Sequence, residues 1–277
     1  GAVKAFMAAG LNLMPVTVDE EGIQPHAANP AQPPRLIYVT PSHQYPTGAV
    51  MSLPRRQQLL LTARQHNAWI LEDDYDSEYR FSGPPLSSLE GLDTDERVLY
   101  MGTFSKVLYP GIKLGYLVVP KPLAAAFKTA HYDLNRPGQM PLQAALAEFI
   151  EMGHFSSALR RARQNYAERR ECLLQALQPC LNTGTPTRAH ISGAEQGLHL
   201  CLHLPASVDD RQLAQQIAQQ GLSVRPLSGY CLRRKDLSGL IIGYGYAPLQ
   251  AIRQSGPVLA HRIQRNANAR VTHGKIN

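Results

Sequence analysis

Short apolar segments that alternate with amphipathic helices predict an α/β protein with two unequal lobes. Stretches with helical periodicity follow several of the apolar segments, as in a parallel sheet whose strands are joined by helices. The 277 residues exceed what one compact core usually holds, so we expect a second, smaller lobe. The segments with the length and composition of buried strands are residues 13–18, 36–40, 69–73, 98–102 and 114–119.

The same pattern divides the chain into a large lobe, a connecting helix and a small lobe. We expect a large lobe with a mostly parallel sheet over residues 1–153. A long charged helix is predicted over residues 154–180, and a small α/β lobe over residues 181–265. Residues 266–277 have the composition of a frayed tail.

Other helices are predicted where apolar residues recur at helical spacing. Ser52 is a suitable N-cap and Pro54 suits the first turn, so one helix is expected to begin near Ser52. In the small lobe we expect the order strand, helix, strand, strand, helix. These predicted helices span residues 52–67, 123–134, 141–152, 209–220 and 248–265.

Composition and charge exclude several classes of protein. No apolar run approaches the roughly 20 residues that a membrane-spanning helix needs. The net charge of +7 is spread along predicted helices without the pattern of a DNA-recognition helix, which favours charged helix surfaces over a nucleic-acid interface. The ten histidines show no ligand spacing, and we expect no metal site. The four cysteines, Cys172, Cys180, Cys201 and Cys231, lack metal-ligand spacing too and indicate reduced thiols in a cytoplasmic protein.

Residues 102–116 carry the most informative motif, Gly-Thr-Phe-Ser-Lys-Val-Leu-Tyr-Pro-Gly-Ile-Lys-Leu-Gly-Tyr. Lys106 follows an apolar run, and burial of an amine favours its uncharged form, which can form an imine with an aldehyde. The hydroxyls of Thr103 and Ser105 and the second cation, Lys113, are groups that can hold a phosphate. Imine and phosphate together are the binding chemistry of pyridoxal 5′-phosphate (PLP).

Two upstream segments support this interpretation. Residues 69–79, Trp-Ile-Leu-Glu-Asp-Asp-Tyr-Asp-Ser-Glu-Tyr, form an apolar strand that runs into carboxylates and tyrosines. Residues 36–48, Leu-Ile-Tyr-Val-Thr-Pro-Ser-His-Gln-Tyr-Pro-Thr-Gly, form a strand that ends in a polar loop punctuated by proline and glycine. A solvated acidic turn is the alternative for the carboxylates, and a solvated surface group is the alternative for the lysine.

The three motifs in this order resemble those of the fold-type I PLP enzymes, the aspartate aminotransferase superfamily. More narrowly, the chain is similar to the aminotransferase-like effector domain of MocR/GabR-type regulators of the GntR family. The resemblance covers nearly the whole chain and is strongest over residues 36–119. In that family, a Gly-rich phosphate turn and an aromatic that stacks on the ring come earlier. Because neither occurs in this chain, which opens within a predicted helix without an initiator methionine, we expect an N-terminally truncated large lobe.

The resemblance implies a role for each candidate site residue. Lys106 is the expected Schiff-base lysine, and Asp73 is expected to face the pyridine nitrogen. Tyr75 lies two residues further along an extended segment, hence on the same face, and is expected to donate to the 3-oxygen of the ring. Thr103, Ser105 and Lys113 are the expected phosphate ligands. Glu72 and Asp74 point to the opposite face and are expected to be structural.

Two positions depart from the aminotransferase pattern. Lys113 stands where most relatives carry arginine, which removes two-pronged hydrogen bonding to the phosphate. Tyr45 stands where aminotransferases place the asparagine that bonds the ring oxygen. His43 is expected to supply a replacement donor. The first departure implies weaker holding of the phosphate. The second counts against transamination but not against the cofactor site, and the MocR/GabR-type regulators tolerate an aromatic residue there.

Substrate recognition is the least defined part of the sequence. Arg225 is expected to lie where a small-lobe strand turns toward the cleft, and it is the candidate ligand for a substrate carboxylate. Arg233 and Arg234 compete for that role, and a solvated loop arginine is a further alternative. The late strand Leu-Ile-Ile-Gly-Tyr-Gly-Tyr at residues 240–246 lacks the arginine that true aminotransferases often carry there.

We therefore expect the PLP-binding sensor domain of a regulator that responds to an amino acid or another small amine. The resemblance also implies a homodimer that contacts DNA only through an N-terminal domain absent from this chain, with no membrane attachment. The first alternative is a metabolic class I/II aminotransferase in which Lys106 moves the substrate proton. The second is a structural remnant that has lost its cofactor.

Overall fold

Two four-stranded sheets organise the chain, one in each lobe. The computed structural model describes residues 1–25, 32–136, 138–181 and 189–269. A short helix, α1 (Ala2–Ala8), and a hairpin of β1 (Val18–Asp19) and β2 (Gly22–Ile23) precede the first sheet. The strand predicted over residues 13–18 is wrong, because only Val18 enters a strand.

The large-lobe sheet has the order β3-β4-β5-β6. Its strands are β3 (Leu36–Val39), β4 (Trp69–Asp74), β5 (Val98–Thr103) and β6 (Gly115–Val118). The strands β3, β4 and β5 are mutually parallel, whereas β6 pairs antiparallel with β5. The intervening residues 104–114 contain only turns and a short 3₁₀ helix, and a parallel crossover needs a longer connection. The predicted mostly parallel sheet is confirmed.

Three of the large-lobe helices agree closely with the sequence predictions. The helix α2 (Leu53–Gln65) begins at Ser52, whose side chain accepts a hydrogen bond from the Arg55 amide at 3.4 Å. A short helix, α3 (Leu89–Leu92), lies before β5. The helices α4 (Lys121–Asn135) and α5 (Met140–Glu151) bury none of their side chains in the described part of the chain.

The small-lobe sheet is antiparallel and has the order β7-β8-β10-β9. One strand more than predicted precedes its first helix, because both β7 and β8 lie there. The long helix α6 carries the chain from the large lobe into this sheet. The elements are α6 (His154–Leu181), β7 (His190–Ser192), β8 (His199–Leu204), α7 (Asp210–Ala218), β9 (Arg225–Pro226), β10 (Ser238–Gly243) and α8 (Leu249–Ala269).

Each lobe has its own apolar core. The large-lobe core lies between the sheet and α2, with Leu59, Ala63 and Ile70 at 1 % exposure or less. In the small lobe, Leu177 at the end of α6 packs with β8, β10, α7 and α8. The predicted lobe boundary at residue 153 stays a prediction. The predicted tail is helical through Ala269, and its residues 270–277 lie outside the described ones.

Neither disulfides nor membrane spans contribute to this architecture as far as it is described. All four cysteines carry free thiols. Within the described ranges, no helix combines the length and the apolar character that crossing a bilayer requires.

A buried guanidinium holds the large lobe together beneath the sheet edge. Arg56 on α2 is 2 % exposed and donates to the carbonyl oxygens of Met51 at 3.0 Å, Pro41 at 3.0 Å and Ser87 at 3.1 Å. Its partner charge is Glu72, 3.9 Å away and fully buried. Burial raises the pKa of Glu72, while hydrogen bonds from the amides of Leu89 and Glu90 lower it. Arg56 therefore fixes both ends of the segment that links β3 to α2.

Replacing this guanidinium should destabilise the large lobe strongly. Arg56→Ala removes the guanidinium that donates to three carbonyl groups and leaves the buried Glu72 carboxylate without its counter-charge, so we expect a loss of about 3–5 kcal/mol in the free energy of unfolding. Arg64→Ala, on the same helix, removes a side chain that is 68 % exposed, and should change stability by less than about 0.5 kcal/mol. Urea unfolding followed by circular dichroism measures both. Equal losses would contradict the role of Arg56.

Candidate cofactor site

The carboxyl ends of β3, β4 and β5 meet at one edge of the large-lobe sheet. Because these strands are parallel and neighbouring, the residues that follow each of them are brought together, which is where ligands bind in such sheets. The loop 40–49 follows β3, residues 75–77 follow β4, and residues 104–106 follow β5. The three sequence motifs therefore converge.

The loop after β3 is closed by its own polar groups. The amide of Gln44 donates to the carbonyl oxygen of Ala49 at 2.9 Å, and the amide of Gly48 donates to that of Gln44 at 2.6 Å. The Gln44 side-chain oxygen accepts from the backbone and hydroxyl of Thr47, at 3.0 and 2.5 Å. The amide of Tyr45 donates to the hydroxyl oxygen of Thr40 at 3.0 Å. The peptide bond between Tyr45 and Pro46 is cis.

Asp73 lies at the end of β4 and is partly buried. The phenol of Tyr38, on the neighbouring strand β3, donates a hydrogen bond to Oδ2 of Asp73 at 2.5 Å. Burial raises the pKa of Asp73, while this hydrogen bond lowers it, and the charges of Asp74 and Asp76 raise it further. In the described part of the chain, Oδ1 of Asp73 has no hydrogen-bond donor. This oxygen can accept from a ligand.

The carboxylates beside Asp73 have structural partners, as predicted. Glu72 caps the amides of α3, and Asp74 accepts hydrogen bonds from Ser77 at 2.7 Å and from the Tyr100 phenol at 2.6 Å. Alternation along β4 places both on the face that packs against α2, opposite Asp73.

Tyr75 and His43 are in direct contact with each other. The Tyr75 phenol donates to the carbonyl oxygen of His43 at 2.9 Å and lies 3.3 Å from its Nδ1. Burial raises the pKa of Tyr75, and the negative charge of Asp76 adds to the effect. His43 is 1 % exposed, which leaves no surface for the direct cofactor contact predicted for it. Its position supports Tyr75 instead.

A buried cluster of His43, Asp76 and His199 joins the two lobes. Nδ1 of His43 lies 3.0 Å from Oδ2 of Asp76. His199 comes from β8 of the small lobe, and its Nε2 donates to the carbonyl oxygen of Pro46 at 3.1 Å. The ring centroids of the two histidines are 4.6 Å apart. Burial lowers the pKa of His199 to about 4, with a smaller contribution from the charge of His43.

This cluster corrects the expectation that the histidines form no group of ligands. One ligand atom from each of the three residues lies within 4.8 Å of the other two. Nδ1 of His43 is engaged by Asp76, and Nε2 of His199 donates to the Pro46 carbonyl oxygen. This second hydrogen bond and the contact between the two imidazole rings link the lobes. Sequence spacing could not reveal it, because His199 lies on a different sheet.

Lys106 stands at the same edge but in a more open setting than predicted. The Tyr79 phenol donates to the Lys106 carbonyl oxygen at 3.1 Å, which fixes the backbone. The ammonium is one of the charges that lower the pKa of His199, so it lies near the buried cluster. However, the residue is exposed, and the predicted burial of this amine is wrong for the described chain. Its neighbours cover its backbone but not its side chain.

The three expected phosphate ligands surround this turn. The Thr103 hydroxyl oxygen accepts from the Ser105 amide at 3.1 Å. Thr103 pairs with Gly115 across β5 and β6, which brings the neighbouring Lys113 to the same edge. Lys113 is exposed and has a left-handed backbone, with φ of 53°. An exposed cation and two hydroxyls at one turn are groups that can bind an anion.

Arg225 reaches the site from the small lobe. Its Nη1 donates to the phenol oxygens of Tyr230 at 3.2 Å and Tyr45 at 3.5 Å, and these two phenols are 3.0 Å apart. No carboxylate pairs with Arg225 among the described residues. The competing Arg234 is paired with Asp236. Of the predicted candidates, Arg225 is thus the one that contacts the site loop.

The comparisons agree with this geometry. The sequence matches the family model described as aminotransferase class I and II over residues 10–237. The chain belongs to this family. It is 38 % identical over 245 residues to the probable rhizopine catabolism regulatory protein MocR of Rhizobium meliloti. These residues cover 88 % of this chain and 48 % of that protein. It is 33 % identical over 236 residues to the pyridoxine biosynthesis transcriptional regulator PdxR of Corynebacterium glutamicum, or 85 % of this chain and 50 % of that protein. The chain spans about half the length of these curated relatives.

Solved structures show that the fold is that of the fold-type I aminotransferases. The α-aminoadipate aminotransferase LysN of Thermus thermophilus, complexed with N-(5′-phosphopyridoxyl)-L-leucine, is 25 % identical with a TM-score of 0.84. The alignment covers 95 % of this chain and 68 % of LysN. Kynurenine aminotransferase of Pyrococcus horikoshii is 24 % identical with a TM-score of 0.80, and the alignment covers 90 % of this chain and 63 % of that one.

Membership of this aminotransferase family implies dependence on PLP, and the residues at the sheet edge fit such a group. The open oxygen of Asp73 suits a protonated ring nitrogen. Lys106 offers at this edge an amine that an aldehyde can reach, and Thr103, Ser105 and Lys113 offer two hydroxyls and a cation for a phosphate. The sequence had no signal for Tyr38 or Tyr230, because tyrosine is common in strands and turns for reasons unrelated to ligands.

The buried cluster depends on the absence of a side chain at Gly197. A Cβ there would lie 2.1 Å from Nδ1 of His43 and 2.6 Å from Oδ2 of Asp76. Gly197→Ala should therefore cost about 1–3 kcal/mol more than backbone strain alone. Gly221→Ala is the control, because Gly221 has nearly the same φ, 75° against 80°, and open space around it. Thermal unfolding compares the two variants, and equal stabilities would contradict the packing.

Proposed function

We propose that this chain is the PLP-binding, aminotransferase-like sensor domain of a transcriptional regulator. The observation that carries the proposal is the convergence of Lys106 and Asp73 at the carboxyl ends of two neighbouring parallel strands. Similarity to regulators such as MocR and PdxR supports a regulatory role over a purely metabolic one.

Each residue at the edge has a distinct task in this proposal. When bound, PLP supplies an aldehyde that reacts with amines and a ring that accepts electrons. Lys106 provides the amine for covalent attachment, and Asp73 holds the proton on the ring nitrogen. Thr103, Ser105 and Lys113 bind the phosphate. The Tyr75 phenol and the His43 carbonyl keep the loop after β3 beside the ring.

The ligand that the domain senses is proposed to be an amino compound that carries a carboxylate. Arg225 offers a guanidinium without a carboxylate partner among the described residues, and it lies beside two phenols. A guanidinium and neutral phenols together donate hydrogen bonds to a carboxylate. The amino group of such a ligand would then compete with Lys106 for the aldehyde.

The assembly and setting of the protein are proposed on the same basis. DNA would be contacted by a domain outside this chain, and a homodimer would cover apolar side chains exposed on α4 and α5, among them Leu134 and Ile150. Free thiols suit the cytoplasm. Sedimentation velocity of the protein as its gene encodes it tests the dimer, since a purely monomeric species would exclude it.

A metabolic aminotransferase is the second candidate, favoured by the fold and by the lysine. Tyr45 replaces the asparagine expected at the ring oxygen, and β10 carries no arginine. Both features count against efficient turnover. Steady transfer of amino groups from any amino acid to 2-oxoglutarate would favour the enzyme over the sensor.

Covalent attachment of PLP is the direct test. The protein encoded by the gene is reduced with borohydride and digested, and we expect a pyridoxyl label on Lys106. Lys106→Ala should abolish the label. Lys113→Ala should keep the label on Lys106 and weaken PLP binding by about ten-fold, because it removes one charge-assisted contact. A label on another lysine, or none, would refute the site.

The role of Arg225 is tested by ligand binding. With PLP bound, the visible spectrum is titrated with a series of amino acids and with the matching decarboxylated amines. Arg225→Ala should weaken the response to the amino acids by about ten- to a hundred-fold, as expected for a lost charged hydrogen bond, and leave the response to the amines unchanged. Arg234→Ala is the control, because Arg234 is engaged by Asp236. Equal effects on acids and amines would exclude carboxylate binding by Arg225.

A further inference from the structure

Tyr38 is the residue that contacts Asp73 most directly. Its phenol and Oδ2 of Asp73 are 2.5 Å apart, and no other donor reaches this carboxylate in the described ranges. Tyr38 lies on β3 opposite Leu71, two residues before Asp73 on β4, so both side chains project from the same face of the sheet. Phe6 packs edge-on against the Tyr38 ring, with centroids 5.6 Å apart.

We propose that Tyr38 is a positioning residue for the pyridine nitrogen of the cofactor: its phenol holds Oδ2 of Asp73 and leaves Oδ1 to accept from the ring. This inference rests on the proposed function, since it concerns the same site. A carboxylate held by one donor keeps a fixed orientation, and a short hydrogen bond to its charged form favours ionisation. Only the ionised form pairs with a protonated ring nitrogen.

The surroundings of Asp73 make this donor important. The ionisable groups around the carboxylate are Tyr38 on β3, Asp74 at the end of β4, and Tyr75 and Asp76 directly after it. Two of these are carboxylates that oppose a negative charge on Asp73, and burial opposes it as well. The hydrogen bond from the Tyr38 phenol has the opposite effect, because it lowers the pKa of Asp73.

The sheet supplies a matched control for Tyr38. Tyr100 on β5 donates to Asp74 at 2.6 Å, so it forms the same kind of phenol–carboxylate pair one residue further along β4. Asp74 faces away from the site and keeps a second donor, the Ser77 hydroxyl. Tyr38→Phe and Tyr100→Phe thus each remove one phenol hydroxyl from a carboxylate, on opposite faces of one sheet, but only Asp73 loses its one donor among the described residues.

The affinity for PLP is measured by fluorescence titration of the protein as encoded by its gene, stripped of cofactor, between pH 5 and 9. We expect Tyr38→Phe to weaken binding by about ten-fold at neutral pH, and Tyr100→Phe by less than about two-fold. Affinity depends on ionised Asp73 and is lost as the pH falls. Because removal of the phenol raises the pKa of Asp73, this loss should begin at a higher pH in Tyr38→Phe. PLP has ionisable groups of its own, but they titrate in the same way for every variant and do not cause a difference between variants.

A double-mutant cycle separates positioning from a general structural role. In the Asp73→Asn background, Tyr38→Phe should have less than about two-fold effect, because the phenol acts through the carboxylate. The inference is overturned if Tyr38→Phe weakens PLP binding as much in the Asp73→Asn background as in the unmodified protein. It is also overturned if the pH at which PLP affinity is lost does not shift, or if Tyr38→Phe and Tyr100→Phe weaken binding equally. If the unmodified protein binds no PLP, both the proposed function and this inference are wrong. If PLP binds and Tyr38→Phe leaves its affinity unchanged, only the inference about Tyr38 is wrong.

Discussion

The buried Arg56 guanidinium is the interaction on which the geometry of the sheet edge depends. It binds the carbonyl groups of Pro41 and Met51, which bracket the loop after β3, and it faces Glu72 in the middle of β4. A loop between a strand and a helix is ordinarily the more mobile part of a fold. Here both of its ends are fixed to the core by one side chain. His43 and Tyr45 are therefore presented from a rigid base.

The same loop joins the lobes, which links the cofactor edge to the small-lobe sheet. His43 meets Asp76 within the large lobe, and Pro46 accepts from His199 on β8. Burial keeps His199 neutral near physiological pH, since its pKa is lowered to about 4. The contact is thus a hydrogen bond between a neutral imidazole and a carbonyl group in a buried interface. A change in the position of the loop must alter the lobe contact as well.

The sequence predicted the edge well because its signals are local. Apolar runs define β3, β4 and β5. Polar residues at the end of a parallel strand, or directly after it, must lie at the shared edge, and this located Asp73, Thr103 and Ser105. Signals that depend on distant parts of the chain were missed. His199 reaches His43 only through lobe packing, and Tyr38 differs in no way from any strand tyrosine until its phenol is placed beside Asp73. The exposure of Lys106 was mispredicted for the same reason, since burial depends on what covers a residue.

Tyr45 explains how a departure from the aminotransferase pattern can serve recognition. An asparagine at this position would turn its amide to the ring, whereas the longer Tyr45 side chain reaches Tyr230 and Arg225 in the small lobe. Burial raises the pKa of Tyr45 to about 12, so the phenol stays a neutral donor at physiological pH. A carboxylate placed at Arg225 then meets two phenols and a guanidinium and repels none of them. The position that loses a contact to the ring thereby gains one to the small lobe, which suits the proposed sensor better than an enzyme that turns over substrate.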